Sequence, residues 1–372
     1  MALKESGLEP VILHTGQHDT IAWPVYDYFG IKPDFTLKLN RKQNTLAHLG
    51  ATLQEEIDDL IRKIDPRCVL VHGDTSSALN AALCAYYNKI PIGHVEAGLR
   101  SHRQYDPFPE EKNREVICRL ATWHFAPTDV AVRNLVAEGI QMTNIHCVGN
   151  TIIDAAQWGI ERLVTHVHEM PDEQVAFLQN IATAITDKKL VVVTAHRREN
   201  WDGGIKEIAE AVVELAEGHE ELQFVWPTHP NPVVRDQVLD VIEKTAPDLR
   251  QRITICDAVN YPSMLWLLER AWLILTDSGG IQEEAAALNI PVLVMRKTTE
   301  RPELVQAGAS ILVGTDREQI VSSVEKLISE EGIYAAMTQI VNPYGDGKAG
   351  TYIASILHRE FVGLRRISSH AA

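Results

Sequence analysis

The chain has 372 residues, 45% hydrophobic and 23% charged, which suggests two globular domains and excludes a largely disordered protein. Its formal net charge is −15 and it carries no basic stripe, so nucleic-acid binding is excluded. No apolar stretch approaches the roughly 20 residues of a membrane span, and Met1 to Glu9 lack the apolar core of a signal peptide. A cytoplasmic protein that binds no membrane is expected.

In chain order, short apolar runs alternate with helix-length amphipathic segments. The first set of runs covers Pro10–His14, Cys68–His72, Pro91–Val95, Trp123–Ala126 and Ile145–Val148. The second covers Leu190–Thr194, Leu222–Trp226, Ile253–Cys256, Trp272–Thr276, Pro291–Val294 and Ile311–Val313. Continuous apolar runs separated by helices predict parallel strands buried on both faces. The fold class is therefore α/β, in two doubly wound, Rossmann-like parallel-sheet domains. The expected bounds are 1–150, 151–347 and a final helical segment, 348–372. A polar, helical stretch at Thr151–Asp187 separates the two sets of strands. The five cysteines include no CxxC pair and read as free, mostly buried thiols.

In such sheets ligands bind beyond the carboxyl ends of the strands. Four predicted strands end in compact polar clusters: His72-Gly73-Asp74-Thr75, Glu96-Ala97-Gly98, His196-Arg197-Arg198 and Asp277-Ser278-Gly279-Gly280. Ser278 can cap the helix predicted over Ile281–Leu288, and the two glycines admit a ligand close to its free amides. That is an anion site or, on the bland reading, an ordinary turn with a serine cap. Glu284, further along, suits ribose hydroxyls. Asp74 and Glu96 end neighbouring strands, and Glu110 follows Pro107-Phe108-Pro109. Clustered carboxylates suit acid–base work, although singly Asp74 is a helix cap and Glu110 a first-turn acid. His196, Arg197 and Arg198 form the one cationic strand end, for phosphates or for pairing with surface acids. His229 is a weaker loop candidate. His72 and His94 read as satisfied core histidines. No spacing suits a metal, and none is predicted. Walker, nucleophile-elbow and Gly-x-Gly-x-x-Gly motifs are absent.

Taken in order, these clusters resemble a known family. His72–Thr75, His94–Arg100, Pro109-Glu110-Glu111, Val148–Thr151, Thr276–Glu284, Thr299–Glu303 and Asn342–Gly347 together are similar to the non-hydrolysing UDP-N-acetylglucosamine 2-epimerases, over essentially the whole chain. The resemblance implies a GT-B fold with its site in the cleft between two Rossmann-like domains, and a final helix returning to the first domain. It implies a UDP-sugar substrate, no external cofactor, and a homodimer. The implied reaction interconverts UDP-GlcNAc and UDP-ManNAc by elimination of UDP to 2-acetamidoglucal and re-addition with inversion at C2.

By matching position, Asp74, Glu96 and Glu110 would handle protons around C2 and the leaving group, and His196 would contact the diphosphate. Ser278, Gly279, Gly280 and Glu284 would hold phosphate and ribose, and Arg301 the nucleotide. The loop from Val259 to Met264 would frame uracil, largely through its backbone. Many bacterial members carry a second, activating UDP-GlcNAc site. Gln17, Glu111, Arg197 and His229 match it, whereas Thr20 and Thr52 replace a Gln and an Arg. The family also begins with a strand ending in Gly-Thr-Arg-Pro-Glu and a lysine-bearing helix, which have no counterpart before Met1. A truncated N-terminus is therefore expected, with a central strand of the first sheet missing. The alternatives are a hydrolysing epimerase that releases ManNAc and UDP, a GT-B glycosyltransferase, or an inactive nucleotide-binding remnant.

Overall fold

Strand formation follows the apolar runs, because a segment buried on both faces must pair every N–H and C=O within a ladder. The computed structural model describes residues 1–17, 19–166, 170–299 and 301–368. It divides into two units, one of Met1–Asp154 with Tyr344–Ala372 and the other of Ala155–Pro343. Every strand pair in both units is parallel.

In the first unit, β1 (Leu13–His14) pairs with β2 (Phe35–Thr36) in a two-stranded sheet. A separate four-stranded sheet runs β3 (Val69–His72), β4 (Ile92–Val95), β5 (Trp123–Ala126) and β6 (Ile145–Cys147), in that order. Among the described residues β1 pairs with β2 alone, and β3 is an edge of its sheet. The sequence does not announce β2, since two residues are too short to display a period. The helix Leu46–Ile64 buries Leu49, Leu53, Ile57 and Ile61, one stripe at four-residue spacing. These side chains cluster with Ala78, Ala82 and Ala85 of the helix Ser76–Tyr87, and with Val71 and Ile92 of the sheet.

The last helix, Ala349–Ser368, belongs to this unit. Its Ile353, Ile356 and Leu357 cluster with Phe125 and Val148. Its first amides, Ala349 N and Gly350 N, donate to the Asp154 carboxylate at 3.1 and 2.8 Å, a cap supplied from far away in sequence. Nearby, Asn150 N donates to Tyr344 O at 2.8 Å. Gly149 permits this crossing: its φ is +88°, and a Cβ there would lie 2.7 Å from Tyr344 O.

The second unit has one six-stranded sheet. Its strands are β7 (Lys189–Thr194), β8 (Leu222–Thr228), β9 (Ile253–Asp257), β10 (Ala271–Thr276), β11 (Val292–Val294) and β12 (Ser310–Leu312). Their order is β12-β11-β10-β7-β8-β9. The winding reverses between β7 and β10, and that switch point is where a doubly wound sheet opens a crevice for ligands. The core beneath it is built from Val191, Val193, Phe224, Trp226, Leu273 and Leu275, packed against Ile208, Val212 and Leu215 of the helix Gly204–Gly218. Among the described residues no helix is long and apolar enough to cross a membrane.

Candidate active site

The switch point of the second unit carries two of the polar strand ends. Thr194 and Thr276 stand side by side in the β7–β10 register, their hydroxyls 2.6 Å apart. The chain continues to His196 on one side and to Asp277 on the other. Asp277 is fully buried. Its Oδ2 accepts from His196 N and Arg197 N, both at 2.8 Å, and from Asn200 Nδ2 at 3.0 Å. Its Oδ1 lies 3.2 Å from His196 Nδ1. Burial alone would push this carboxyl up, but the His196 ring and the two backbone amides outweigh burial and hold it below its ordinary value.

His196 stacks on His229, with centroids 5.8 Å apart and planes 11° from parallel. Among the described residues Arg197 makes no ion pair, and its Nε is buried without a hydrogen-bond partner. Arg198 lies over the Trp201 ring at 5.8 Å. Among the described residues, no surface acid pairs with Arg197 or Arg198.

Two residues, Asp277 and Ser278, separate β10 from the helix Gly279–Ala287. Ser278 occupies its N-cap position, but its hydroxyl makes no capping bond, contrary to expectation. The hydroxyl is thus not spent on capping the helix. A Cβ at Gly280 would meet nothing within 4 Å, and one at Gly279 would meet the Arg301 guanidinium at 3.8 Å. No protein neighbour demands glycine here, although glycine costs a helix about 0.8–1 kcal/mol relative to alanine. Free space above a helix end is what an anion needs. Arg301 is held over that end by Glu283, with Nε to Oε1 at 2.5 Å, while Arg301 N donates to Thr299 Oγ1 at 3.0 Å.

Glu284 is buried, and burial pushes its carboxyl up to about 7, opposed by a hydrogen bond with Tyr261 and reinforced by Glu283. Tyr261 opens the helix Tyr261–Arg270, capped by Asn260, whose Oδ1 accepts from Ser263 N at 3.0 Å. Four of the six residues of the expected uracil loop, Tyr261 to Met264, are therefore helical. Val259 lies in the loop, but Met264 is in the first turn and its N–H is committed to Asn260 O at 3.0 Å.

In the first unit the carboxylates gather at the ends of β3 and β4. Glu96 has φ of +64°, a left-handed conformation rare outside glycine. This turn carries its carboxylate back over Gly73: a Cβ on Gly73 would meet Glu96 Oε2 at 3.2 Å. Asn150 Nδ2 donates to Glu96 Oε1 at 3.4 Å, and His72 Nε2 lies 3.5 Å from Oε2. Asp74 pairs with Arg114, and Asn113 Nδ2 donates to Asp74 O at 2.8 Å. Both partners come from the helix Glu110–Leu120. Glu110 is in the first turn of that helix, four residues before Arg114.

His94 is fully buried, and desolvation takes its pKa down to about 3; Nε2–H donates to Gly73 O at 2.8 Å and so fixes the loop carrying Asp74. It is a satisfied core histidine, as expected. His72 is not, since its side chain is 61% exposed.

Of the residues matched to a second site, Gln17, Glu111 and His229 have internal side-chain partners, whereas the buried Nε of Arg197 has none. Gln17 Oε1 accepts from Ser77 N at 3.2 Å and Ser77 Oγ at 2.6 Å, at the start of the helix Ser76–Tyr87. Glu111 is buried, and its carboxylate accepts from Ser101 N at 3.0 Å and His102 N at 2.9 Å, shaping the 101–109 loop. Thr52 Oγ1 donates to His48 O of its own helix at 2.9 Å. His229 Nδ1 accepts from Asn231 N at 3.1 Å. The side chain of Thr20, and Glu300 of the Thr299–Glu303 motif, lie outside the described residues.

The sequence profile of the UDP-N-acetylglucosamine 2-epimerase family matches residues 1–358. The chain belongs to this family. It is 40% identical over 361 residues to the UDP-N-acetylglucosamine 2-epimerase of Escherichia coli K12, covering 97% of this chain and 94% of that one. It is similar to the crystal structure of UDP-GlcNAc 2-epimerase from Neisseria meningitidis bound to UDP-GlcNAc, with a TM-score of 0.83, 36% identity and 96% of each chain covered. It is likewise similar to the S. aureus MnaA-UDP co-structure, with a TM-score of 0.82, 36% identity, and 97% and 91% covered. A UDP-GlcNAc 2-epimerase is an isomerase acting on a nucleotide sugar, and its α/β fold is the GT-B-like two-domain kind.

Several residues that hold this epimerase's candidate site residues are not singled out by the sequence: Asn113, Arg114 and Asn200 lie outside the family-like motifs, whereas Glu283 lies within Thr276–Glu284. Arg114 and Asn113 hold Asp74, Glu283 holds Arg301, and Asn200 joins Asp277. The one local signal is spacing: Arg114 sits four residues after Glu110, on the same helical face.

Proposed function

We propose that this epimerase interconverts UDP-GlcNAc and UDP-ManNAc without hydrolysis. One carboxylate takes the C2 proton while the bond from C1 to the diphosphate oxygen breaks, leaving 2-acetamidoglucal and UDP. UDP then adds back to C1, and C2 receives a proton on its opposite face. Asp74, Glu96 and Glu110 are assigned to the sugar. Asp74, the carboxylate paired with Arg114, is held in place by that contact, and the three together are assigned the proton transfers around C2 and the leaving group. Ser278, Gly279, Gly280, His196 and Arg301 are assigned to the diphosphate, Glu284 to the ribose, and Val259 to the base. A cytoplasmic homodimer is part of this reading.

The observation that carries it is the glycine-opened helix end at Gly279–Gly280 with Arg301 laid across it. A non-hydrolysing route needs UDP to be gripped after its sugar bond has broken, and fixed amides with a held guanidinium supply that grip. The test is to incubate the protein with UDP-GlcNAc in D2O and follow the sugar by proton NMR. UDP-ManNAc carrying deuterium at C2, with no free ManNAc, is expected. Free ManNAc with UDP would replace this reading by the hydrolysing one, and an unchanged substrate would overturn both.

A further inference from the structure

We propose that Asp277 is a positioning residue that fixes the His196 ring as its Nδ1–H tautomer, so that Nε2 is the nitrogen presented to the diphosphate. The inference deepens the role proposed for His196 and rests on that reading for its chemical consequence. Its geometric part stands within one sheet.

The two residues are the first polar positions beyond neighbouring strands β7 and β10, 81 residues apart in the chain. Oδ2 of Asp277 is saturated by His196 N, Arg197 N and Asn200 Nδ2. Oδ1 is buried and makes no well-aligned hydrogen bond, and it faces His196 Nδ1 at 3.2 Å. An ionised carboxylate accepts only. A lone pair on Nδ1 would confront a lone pair on a buried oxygen, whereas a proton on Nδ1 meets the one acceptor site left open. An unsatisfied buried acceptor favours the Nδ1–H form on the order of tenfold or more.

The rest of the ring's surroundings hold its plane without competing for Nδ1. His229 stacks on it with planes 11° from parallel. Trp201 Nε1 donates to His196 O at 3.0 Å, so the backbone of His196 is fixed through both its N–H and its carbonyl. With Nδ1 committed, Nε2 is the atom that exchanges a proton and meets substrate. When the ring is protonated, Nε2–H donates to a diphosphate oxygen and the buried carboxylate balances the charge on the ring.

The variant Asp277→Asn separates this role from folding. The Asn carbonyl keeps an acceptor for the three N–H donors, while its NH2 turns toward Nδ1 and donates to it. The tautomer is thereby switched to Nε2–H with the loop retained. The measurement is long-range 1H–15N NMR of the ring nitrogens in histidine-labelled protein, with the His196 signals identified by their loss in His196→Asn. Wild type is expected to show Nδ1–H and Asp277→Asn to show Nε2–H. With UDP-GlcNAc, kcat should fall about 100-fold or more while KM moves much less, because the variant's neutral amide cannot balance the charge of the doubly protonated ring that donates to the departing diphosphate. In the His196→Asn background, Asp277→Asn should cost almost nothing further.

An Nε2–H ring in wild type would overturn the proposal, even if the variant fails to fold. So would unchanged kcat in Asp277→Asn, or an equal loss with and without His196. A wild-type protein that does not epimerise UDP-GlcNAc sinks the proposed function instead, and the ring assignment then stands or falls on the NMR spectrum alone.

Discussion

Replacing Glu284 with Gln should stabilise the ligand-free protein at neutral pH and weaken its hold on UDP. Glu284 is 7% exposed, and its carboxyl is pushed up from 4.5 to about 7, chiefly by burial. Below about pH 4.5 both folded and unfolded forms are protonated, and the group costs the fold nothing. Between 4.5 and 7 the unfolded chain ionises freely while the folded one resists, so stability falls as pH rises. Above about 7 the loss is complete. A rise from 4.5 to about 7 corresponds to roughly 3 kcal/mol at most.

Gln keeps the size and removes the charge. Thermal melts of both proteins from pH 5 to 8, with and without UDP, read the effect, and the difference between them cancels every other titrating group. The Tm gap should be small at pH 5 and open to several degrees in favour of Glu284→Gln by pH 8. The added stabilisation by saturating UDP should shrink in the variant, since a ligand stabilises in proportion to ln(1 + [L]/Kd). Parallel pH curves, or a variant that melts lower at pH 8, would refute the reasoning.

Gly280→Ala should raise Tm slightly, by the equivalent of about 0.4–1 kcal/mol, because its Cβ meets nothing and the unfolded chain loses freedom. The same methyl group should raise the Kd for UDP at least several-fold by calorimetry; unchanged affinity would remove this helix end from the nucleotide site. Arg114→Met should lower kcat on UDP-GlcNAc and destabilise the first unit by roughly 3–5 kcal/mol in denaturant melts, since it leaves Asp74 without its cation. Wild-type activity in that variant would show that the pair does not set the carboxylate. His94→Gln should flatten acid unfolding. The folded histidine's pKa, lowered to about 3, means stability present above about 6.5 is lost as pH falls. A variant that unfolds in acid along the wild-type curve would exclude His94 as the source.

The sequence by itself determined where the chain could form strands and which strand ends could carry chemistry. Val191 to Thr194, or Leu273 to Thr276, are apolar runs bounded by polar clusters, and burial on both faces of a parallel sheet leaves no other composition available. The Gly279-Gly280 opening was legible for the same reason, because backbone shape and helix starts are properties of a few adjacent residues. Partnership was not legible. Nothing near Asp74 names Arg114, and nothing near Glu111 reveals that its carboxylate folds the 101–109 loop from inside. Ser278 has the residue type of a cap and does not use it, and Met264 falls in a helical turn where a loop was expected. Only the tertiary structure decided that Asp277 would face His196 and that Glu284 would lose its water. Contacts across the switch point depend on strand order, and a carboxyl's charge depends on how completely neighbours from several elements exclude solvent.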